Sequence, residues 1–292
     1  MMNKSKVRQS ALNLIYAVEE SGGVPEKVDL DLFWRISLEK ETDHYRTALF
    51  KAIVHSSRKS ADTSRLLATR VQGAVDALQG DLTARKLVED IDRVQKRSAQ
   101  FESAVAAMRY CAKDKRQDTT DQLALCCRDV LNLAVAVEGL VRDVLPVFDD
   151  FPAYRRVLEP LRSALLRQGK LMAEVAALNT PLALRNQQEF AGLVRWARLL
   201  QDLRPAAEEL AMAVLARKEL LEARLNGLLK NYSVARLDVV DRCILYLALY
   251  EMEVNKLDIP IIVSEANALA DSYSGSKSAP FIHGIISSAA KG

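Results

Sequence analysis

Residues 231–251 read NYSVARLDVVDRCILYLALYE and have the clearest helical pattern in the chain. Apolar residues recur there with the spacing of one helix face, at Leu237, Val240, Ile244 and Leu247. Further apolar residues widen that face until little besides Asp241 and Arg242 is left for solvent. The pattern predicts a helix that is packed between other helices.

Two more helices are predicted after this one. Residues 258–273 begin with Asp258-Ile259-Pro260, and a proline is tolerated in a first turn because its missing N–H would have no partner there. Residues 276–286 read SKSAPFIHGII and begin with a serine that suits a helix cap. A short loop of glycine and serine joins the two helices.

The composition favours an all-α protein. Of 292 residues, 49% are hydrophobic, which is enough for a sizeable core, and the length exceeds one all-helical unit, so two lobes are expected. Glycine and proline number only 11 and 8, and no alternating β-branched runs occur between turn signals, which argues against a sheet.

Charge and cysteine usage narrow the class further. The net charge of +3 is nearly neutral for this size, so a nucleic-acid site would have to be local. The four cysteines form no C-x-x-C pair and have no neighbouring histidine, which predicts reduced, buried thiols without metal or cofactor (Cys111, Cys126, Cys127 and Cys243). No apolar run of 18 residues and no signal-peptide pattern occurs, so we expect a cytoplasmic protein that does not associate with membranes.

Residues 231–286 resemble the carboxy-terminal half of the NusB family of bacterial transcription antitermination factors. The shared order is a polar-aromatic-Ser turn, V-D-R-x-I-L-x-L-A-L-Y-E, D-x-P, an N-E-A helix, a Gly/Ser loop and F-x-N-G. Residues 6–16, KVRQSALNLIY, are similar to the first helix of the family. The resemblance implies a NusB-like helical bundle that is built from both ends of the chain.

The middle of the chain then reads as an insertion of long helices. We predict NusB-like helices at 1–41 and 205–292, with an insertion at 42–204 that forms an antiparallel bundle or helical hairpins. The first helix should end at the helix stop Gly22-Gly23, and the third helix of the family should begin near Pro205. Within the insertion, helices are expected over about 42–77 and about 185–203. A second register is open, because residues 45–54 also resemble the start of the third helix of the family. In that register the insertion begins after about Leu67.

The resemblance implies an RNA site made of a basic segment and an aromatic loop. Lys4, Lys6 and Arg8 occupy the position of the arginine-rich first turn of the family, with Ser5 where many members carry arginine. Tyr273 and Phe281 flank the loop and match aromatic positions that lie next to RNA. The interpretation of Phe281 as a core residue is equally open. Lys277 replaces an acidic residue and favours the RNA backbone.

Two further residues match positions at which the family meets its protein partner, the small-subunit ribosomal protein NusE. These are Tyr16 and Asp241, although Asp241 also suits a helix start. Glu265 belongs to the N-E-A helix, where Ser264 replaces the asparagine, and His283 replaces the asparagine of F-x-N-G. These exchanges alter hydrogen-bonding geometry, and we assign no roles to them.

The resemblance therefore implies a non-enzymatic RNA-binding antitermination factor. It would bind boxA-type single-stranded RNA with NusE, join the RNA polymerase antitermination complex and promote read-through in ribosomal RNA operons. Some members pair through the RNA-binding surface, which leaves a homodimer open. An RNA cytosine methyltransferase would need a glycine-rich cofactor loop and a catalytic domain downstream, and neither occurs before Gly292. The remaining alternative is a protein-interaction module with a NusB-like fold that has lost RNA binding.

Overall fold

α-Helices form the regular structure of the protein. The computed structural model describes residues 4–113, 119–229, 233–275 and 277–291, and these contain no strand. The all-α class predicted from the sequence is confirmed. Within the same ranges, no helix combines the length and the apolar character needed to cross a membrane.

The chain divides into two compact units. The terminal unit comprises Met1–Lys40 and Leu199–Gly292, and the inserted unit comprises Glu41–Arg198. The divisions fall within α3 and α8. In chain order the helices are α1 (Lys4–Glu20), α2 (Leu30–Ser37), α3 (Glu39–Ser56), α4 (Ser60–Leu78), α5 (Arg85–Cys111), α6 (Thr119–Val147), α7 (Arg155–Ala176), α8 (Ala191–Leu215), α9 (Lys218–Leu228), α10 (Val239–Glu253), α11 (Ile259–Tyr273) and α12 (Ser278–Ala289).

Helix α10 forms the centre of the terminal unit. Every residue from Cys243 to Glu251 is buried, and α1, α9, α11 and α12 all pack against this helix. A helix that is apolar on nearly all sides can satisfy that pattern only by being enclosed. The sequence-based prediction of a helix between helices is confirmed.

Helix α1 lies antiparallel to α10 and is held near both of its ends by ion pairs. Arg8 bonds to Glu251 near the start of α1, and Glu19 pairs with Arg242 at 3.2 Å near its end. Lys218 of α9 also approaches Glu19, at 2.7 Å. The amino-terminal helix is thus a built-in element of the bundle that the carboxy-terminal helices form.

The end of α1 shows how a local signal stops a helix. Gly22 and Gly23 have φ values of +91° and +75°, which residues with a Cβ rarely adopt. The N–H of Gly23 donates to the carbonyl of Val18 at 2.9 Å and so satisfies an orphan acceptor of the last turn. The sequence predicted this stop from the two glycines alone.

The inserted unit contains a ring of four helices. α4 packs on α5, α5 on α6, α6 on α7, and α7 returns to α4. α6 and α7 approach closely at Gly169, where an added Cβ would lie 2.9 Å from a methyl carbon of Val141. In the same interior, the amide of Gln168 donates to the hydroxyl of Ser98 at 3.2 Å.

The two segments that compete for the third helix of the family lie in different units. Residues 45–54 lie in α3, and Ala52 and Ile53 belong to the core of the inserted unit. Leu203, Ala207, Ala211 and Val214 of α8 belong to the core of the terminal unit. The register stays a prediction, and Pro205 itself lies inside α8 and not at the start of a helix.

Two helix limits expected from the sequence were wrong. No helix ends before Pro205, because α8 runs through it with Leu203 and Ala207 fully buried on either side. A proline removes one backbone hydrogen bond, and packing on both sides keeps such a helix continuous. The stretch 42–77, expected as one helix, is divided by a 3₁₀ turn at Ser57–Lys59.

Candidate nucleic-acid interface

The loop between α11 and α12 presents an aromatic and a basic side chain. Tyr273 is the last residue of α11, and 38% of its surface is exposed. Lys277 immediately precedes α12 and is exposed as well. A half-open aromatic ring beside a lysine offers a stacking surface and a phosphate contact within one short segment.

Asp241 fastens this loop at both of its ends. Its two carboxylate oxygens accept hydrogen bonds from Ser274 at 2.7 Å and from Ser278 at 2.9 Å. The two hydroxyl oxygens lie 2.8 Å apart. Hydrogen bonds to an ionised acceptor are stronger than hydrogen bonds between neutral groups. The loop is therefore fixed to the start of α10 before any ligand arrives.

Helix α1 adjoins the same loop. The side-chain amide of Gln9 donates to the hydroxyl of Tyr273, and the hydroxyl of Ser5 donates to Glu265 of α11 at 2.7 Å. Residues three and four positions apart share a helix face, so Lys6 lies on the face that carries Ser5 and Gln9. The Gln9–Tyr273 bond joins α1 to the end of α11, and we call these two residues together with Lys4, Lys6 and Lys277 the α1–loop surface.

Arg8 does not belong to that surface. Only 5% of the residue is exposed, and its Nε lies 2.8 Å from both carboxylate oxygens of Glu251. A second carboxylate, that of Glu265, lies 3.6 Å from a terminal guanidinium nitrogen. From the resemblance, Arg8 was expected to contact RNA as part of the basic segment. In the folded chain its charge is neutralised inside the bundle, because α1 begins at Lys4 and turns Arg8 towards α10 and α11.

The three other residues predicted as contacts differ in how much of their surface is exposed. Phe281 is half-buried and packs against the core of the terminal unit, as its alternative interpretation proposed. Asp241 is 9% exposed and directs its carboxylate at the loop serines, which leaves little of it for a protein partner. Tyr16 is open, with 39% of its surface exposed on α1.

Cys243 is the cysteine of the terminal unit, and it lies in the core. Burial raises the pKa of the Cys243 thiol to about 12, so this thiol stays protonated and unreactive at neutral pH. The described ranges contain no group of three or more His, Cys, Asp or Glu side chains that could hold a metal ion. The α1–loop surface carries charged groups, hydrogen-bonding groups and one aromatic ring.

Residues 170–291 match the NusB family. Two proteins named transcription antitermination protein NusB align with 37% identity, one from Methylacidiphilum infernorum over 93 residues and one from Rubrobacter xylanophilus over 94 residues. The first alignment covers 31% of this chain and 64% of the relative. The second covers 32% of this chain and 67% of the relative. A NusB protein from Clostridium botulinum strain Loch Maree is 45% identical over 71 residues, which are 24% of this chain and 50% of that protein.

The chain belongs to the NusB family. It spans about half to two thirds of the length of these NusB relatives. No solved structure matches it. The matched segment includes the NusB loop with Tyr273 and Lys277 and the Asp241 that fastens it.

Sequence reasoning missed the side chains that organise this NusB-like surface. Ser274 and Ser278 were seen only as parts of a polar loop, and Gln9 was not singled out. The one available signal was the spacing of the two serines around the loop, which suits a common acceptor. Nothing in the sequence indicated that the acceptor would be Asp241, which lies 33 residues before Ser274.

Proposed function

We propose that this protein is a non-enzymatic transcription antitermination factor that binds boxA-type RNA together with NusE. Membership of the NusB family supports the antitermination role, and the α1–loop surface supports RNA as the ligand. The single observation that carries the proposal is the loop fixed by Asp241, which displays Tyr273 and Lys277 in advance of binding.

The chemistry of the surface fits a single strand. Unpaired bases stack on aromatic faces, and one such stack is worth about 1 to 3 kcal/mol. Lys4 and Lys6 lie in the first turn of α1 and Lys277 immediately precedes α12, so each adds positive charge to the α1–loop surface. Phosphate contacts are therefore proposed at this surface. Tyr16 is the exposed residue that we propose as a contact for NusE.

A titration of the full chain with labelled RNA tests this proposal. We would measure affinity for a boxA-type single strand and for an RNA of the same composition in scrambled order, each with and without NusE. We expect the boxA-type RNA to bind more tightly, and NusE to increase the difference. Equal affinity for both RNAs in the presence of NusE would contradict the proposal.

One observation favours the second candidate, a protein-interaction module without RNA binding. The ion pair between Arg8 and Glu251 removes one of the three amino-terminal basic groups from the surface. The same titration distinguishes the candidates. Binding of NusE without measurable binding of either RNA would support the interaction module.

A further inference from the structure

Two half-buried thiols meet where α5 and α6 come together. Cys111 is the last residue of α5, Cys126 lies in α6, and their sulfur atoms are 3.5 Å apart. A disulfide has a sulfur–sulfur distance of about 2.05 Å, so the sulfurs need to approach by roughly 1.5 Å. Rotation of the side chain at the end of a helix can provide much of that movement.

The other cysteines form a contrast. Cys127 is 1% exposed and Cys243 is fully buried, and burial raises the pKa of each thiol to about 12. Such thiols are packing groups that an oxidant reaches poorly. Cys111 and Cys126 are both partly accessible, and the sulfur of each lies close to the sulfur of the other.

We propose that Cys111 and Cys126 are a reversible oxidation site, which forms an intramolecular disulfide across the α5–α6 hairpin when the protein meets hydrogen peroxide. This site lies in the inserted unit and is independent of the proposed RNA-binding role. It makes the hairpin a redox-sensitive element of the inserted unit.

The chemistry balances with peroxide as the only oxidant. Burial and the neighbouring Cys111 raise the pKa of Cys126 to about 11, and either thiol of the pair can react first. In one of the two orders, the reaction begins at Cys111. Its thiolate attacks one peroxide oxygen, the O–O bond breaks, hydroxide leaves, and a sulfenic acid forms. The sulfur of Cys126 then attacks the sulfenic sulfur and gives up its proton as the S–O bond breaks. Two thiols and one peroxide yield one disulfide and two waters.

The bond would close a short segment of chain. Residues 111 and 126 enclose a loop of about 15 residues, and a cross-link of that length limits the unfolded ensemble of the hairpin. We expect the melting temperature of the inserted unit to rise by about 5 °C on oxidation and to return after a thiol reductant is added.

Mass spectrometry of the full chain tests the site. After one equivalent of hydrogen peroxide, we expect a monomer that is lighter by about 2 Da, as two hydrogens are lost. Trypsin should then yield residues 110–113 linked to residues 117–128, and the linkage should disappear after reduction. The second peptide holds both Cys126 and Cys127, so the protease map alone does not assign the partner.

Three matched variants assign it. Cys111→Ala and Cys126→Ala should each abolish the mass loss, whereas Cys127→Ala should retain it. The result on the unaltered protein stands even if a variant folds poorly. Sulfinic acid at Cys111 without a cross-link, a disulfide between two chains, or a cross-link that survives Cys126→Ala would each overturn the proposal.

Discussion

Arg8 Nε lies 2.8 Å from both carboxylate oxygens of Glu251, although 243 residues separate the two in the chain. Both side chains are about 6% exposed. This pair joins the first helix to the central helix α10, so the terminal unit is complete only when the two chain ends meet. It also takes one positive charge from the predicted RNA-binding segment.

Replacing Arg8 by alanine should destabilise the terminal unit by about 3 to 5 kcal/mol, because Glu251 would remain buried without its main partner. Denaturant unfolding can be followed through Trp34, which is 2% exposed in this unit, in a Trp196→Phe background. Asp31→Ala is the control, since it breaks an exposed pair with Arg204 and should cost about 1 kcal/mol or less. Equal losses in both variants would argue against a buried, interior pair.

Asp241→Ala should release the α11–α12 loop. Two hydrogen bonds to a carboxylate are lost, which we expect to cost about 2 to 3 kcal/mol of stability. RNA affinity should fall about 3- to 10-fold, because the loop must then be ordered during binding. The double variant Ser274→Ala, Ser278→Ala should reproduce most of this effect, and adding Asp241→Ala to it should change little. Additive losses would contradict a shared anchor.

Tyr273→Ala should weaken RNA binding by about 1 to 3 kcal/mol, the range for one base stack, with little change in melting temperature. Tyr273→Phe keeps the ring and removes only the hydrogen bond from Gln9, so it should bind RNA almost normally. Phe281→Ala is the opposite case. Because this half-buried ring packs on the core, we expect a loss of up to about 3 kcal/mol of folding stability. A Tyr273→Ala protein that melts early but binds RNA normally would contradict the stacking role.

Removal of Lys4 and Lys277 should flatten the salt dependence of RNA binding. Each phosphate contact with a single strand contributes a slope of about −0.7 in a plot of log affinity against log salt concentration. The double alanine variant should therefore lose about 1.4 units of slope. Lys86→Ala, at an exposed position of α5 in the inserted unit, should leave the slope unchanged. An unchanged slope in the double variant would remove these lysines from the interface.

Two helical glycines of the inserted unit should respond in opposite directions to alanine. Gly169→Ala places a Cβ 2.9 Å from Val141 and should destabilise the bundle by about 1 to 3 kcal/mol. Gly73→Ala meets no atom within 4 Å in α4, so it should stabilise by about 0.5 to 1 kcal/mol through helix propensity. Val141→Ala should relieve part of the Gly169→Ala cost. Thermal melts of the unaltered protein, Gly169→Ala, Gly73→Ala and the double variant Gly169→Ala, Val141→Ala measure these effects.

The local features of the fold could be predicted because neighbouring residues determine them. The apolar spacing within 231–251 was enough to predict an enclosed helix, and Gly22-Gly23 was enough to predict the end of α1. The continuation of α8 through Pro205 could not be predicted, because an interior proline costs a helix one backbone hydrogen bond and neighbouring residues in sequence do not show what offsets that cost. Burial of Leu203 and Ala207 is a tertiary property.

The helical class, the central helix α10 and the resemblance to the NusB family could all be predicted before folding was considered, since all three depend on residue spacing along the chain. The partners of individual charged and polar groups became known from the folded chain alone. Arg8 faces Glu251, Asp241 faces Ser274, and Cys111 faces Cys126. The physical reason is that hydrogen bonds and ion pairs act over about 3 Å, and separation in sequence does not reveal which side chains folding brings within that distance.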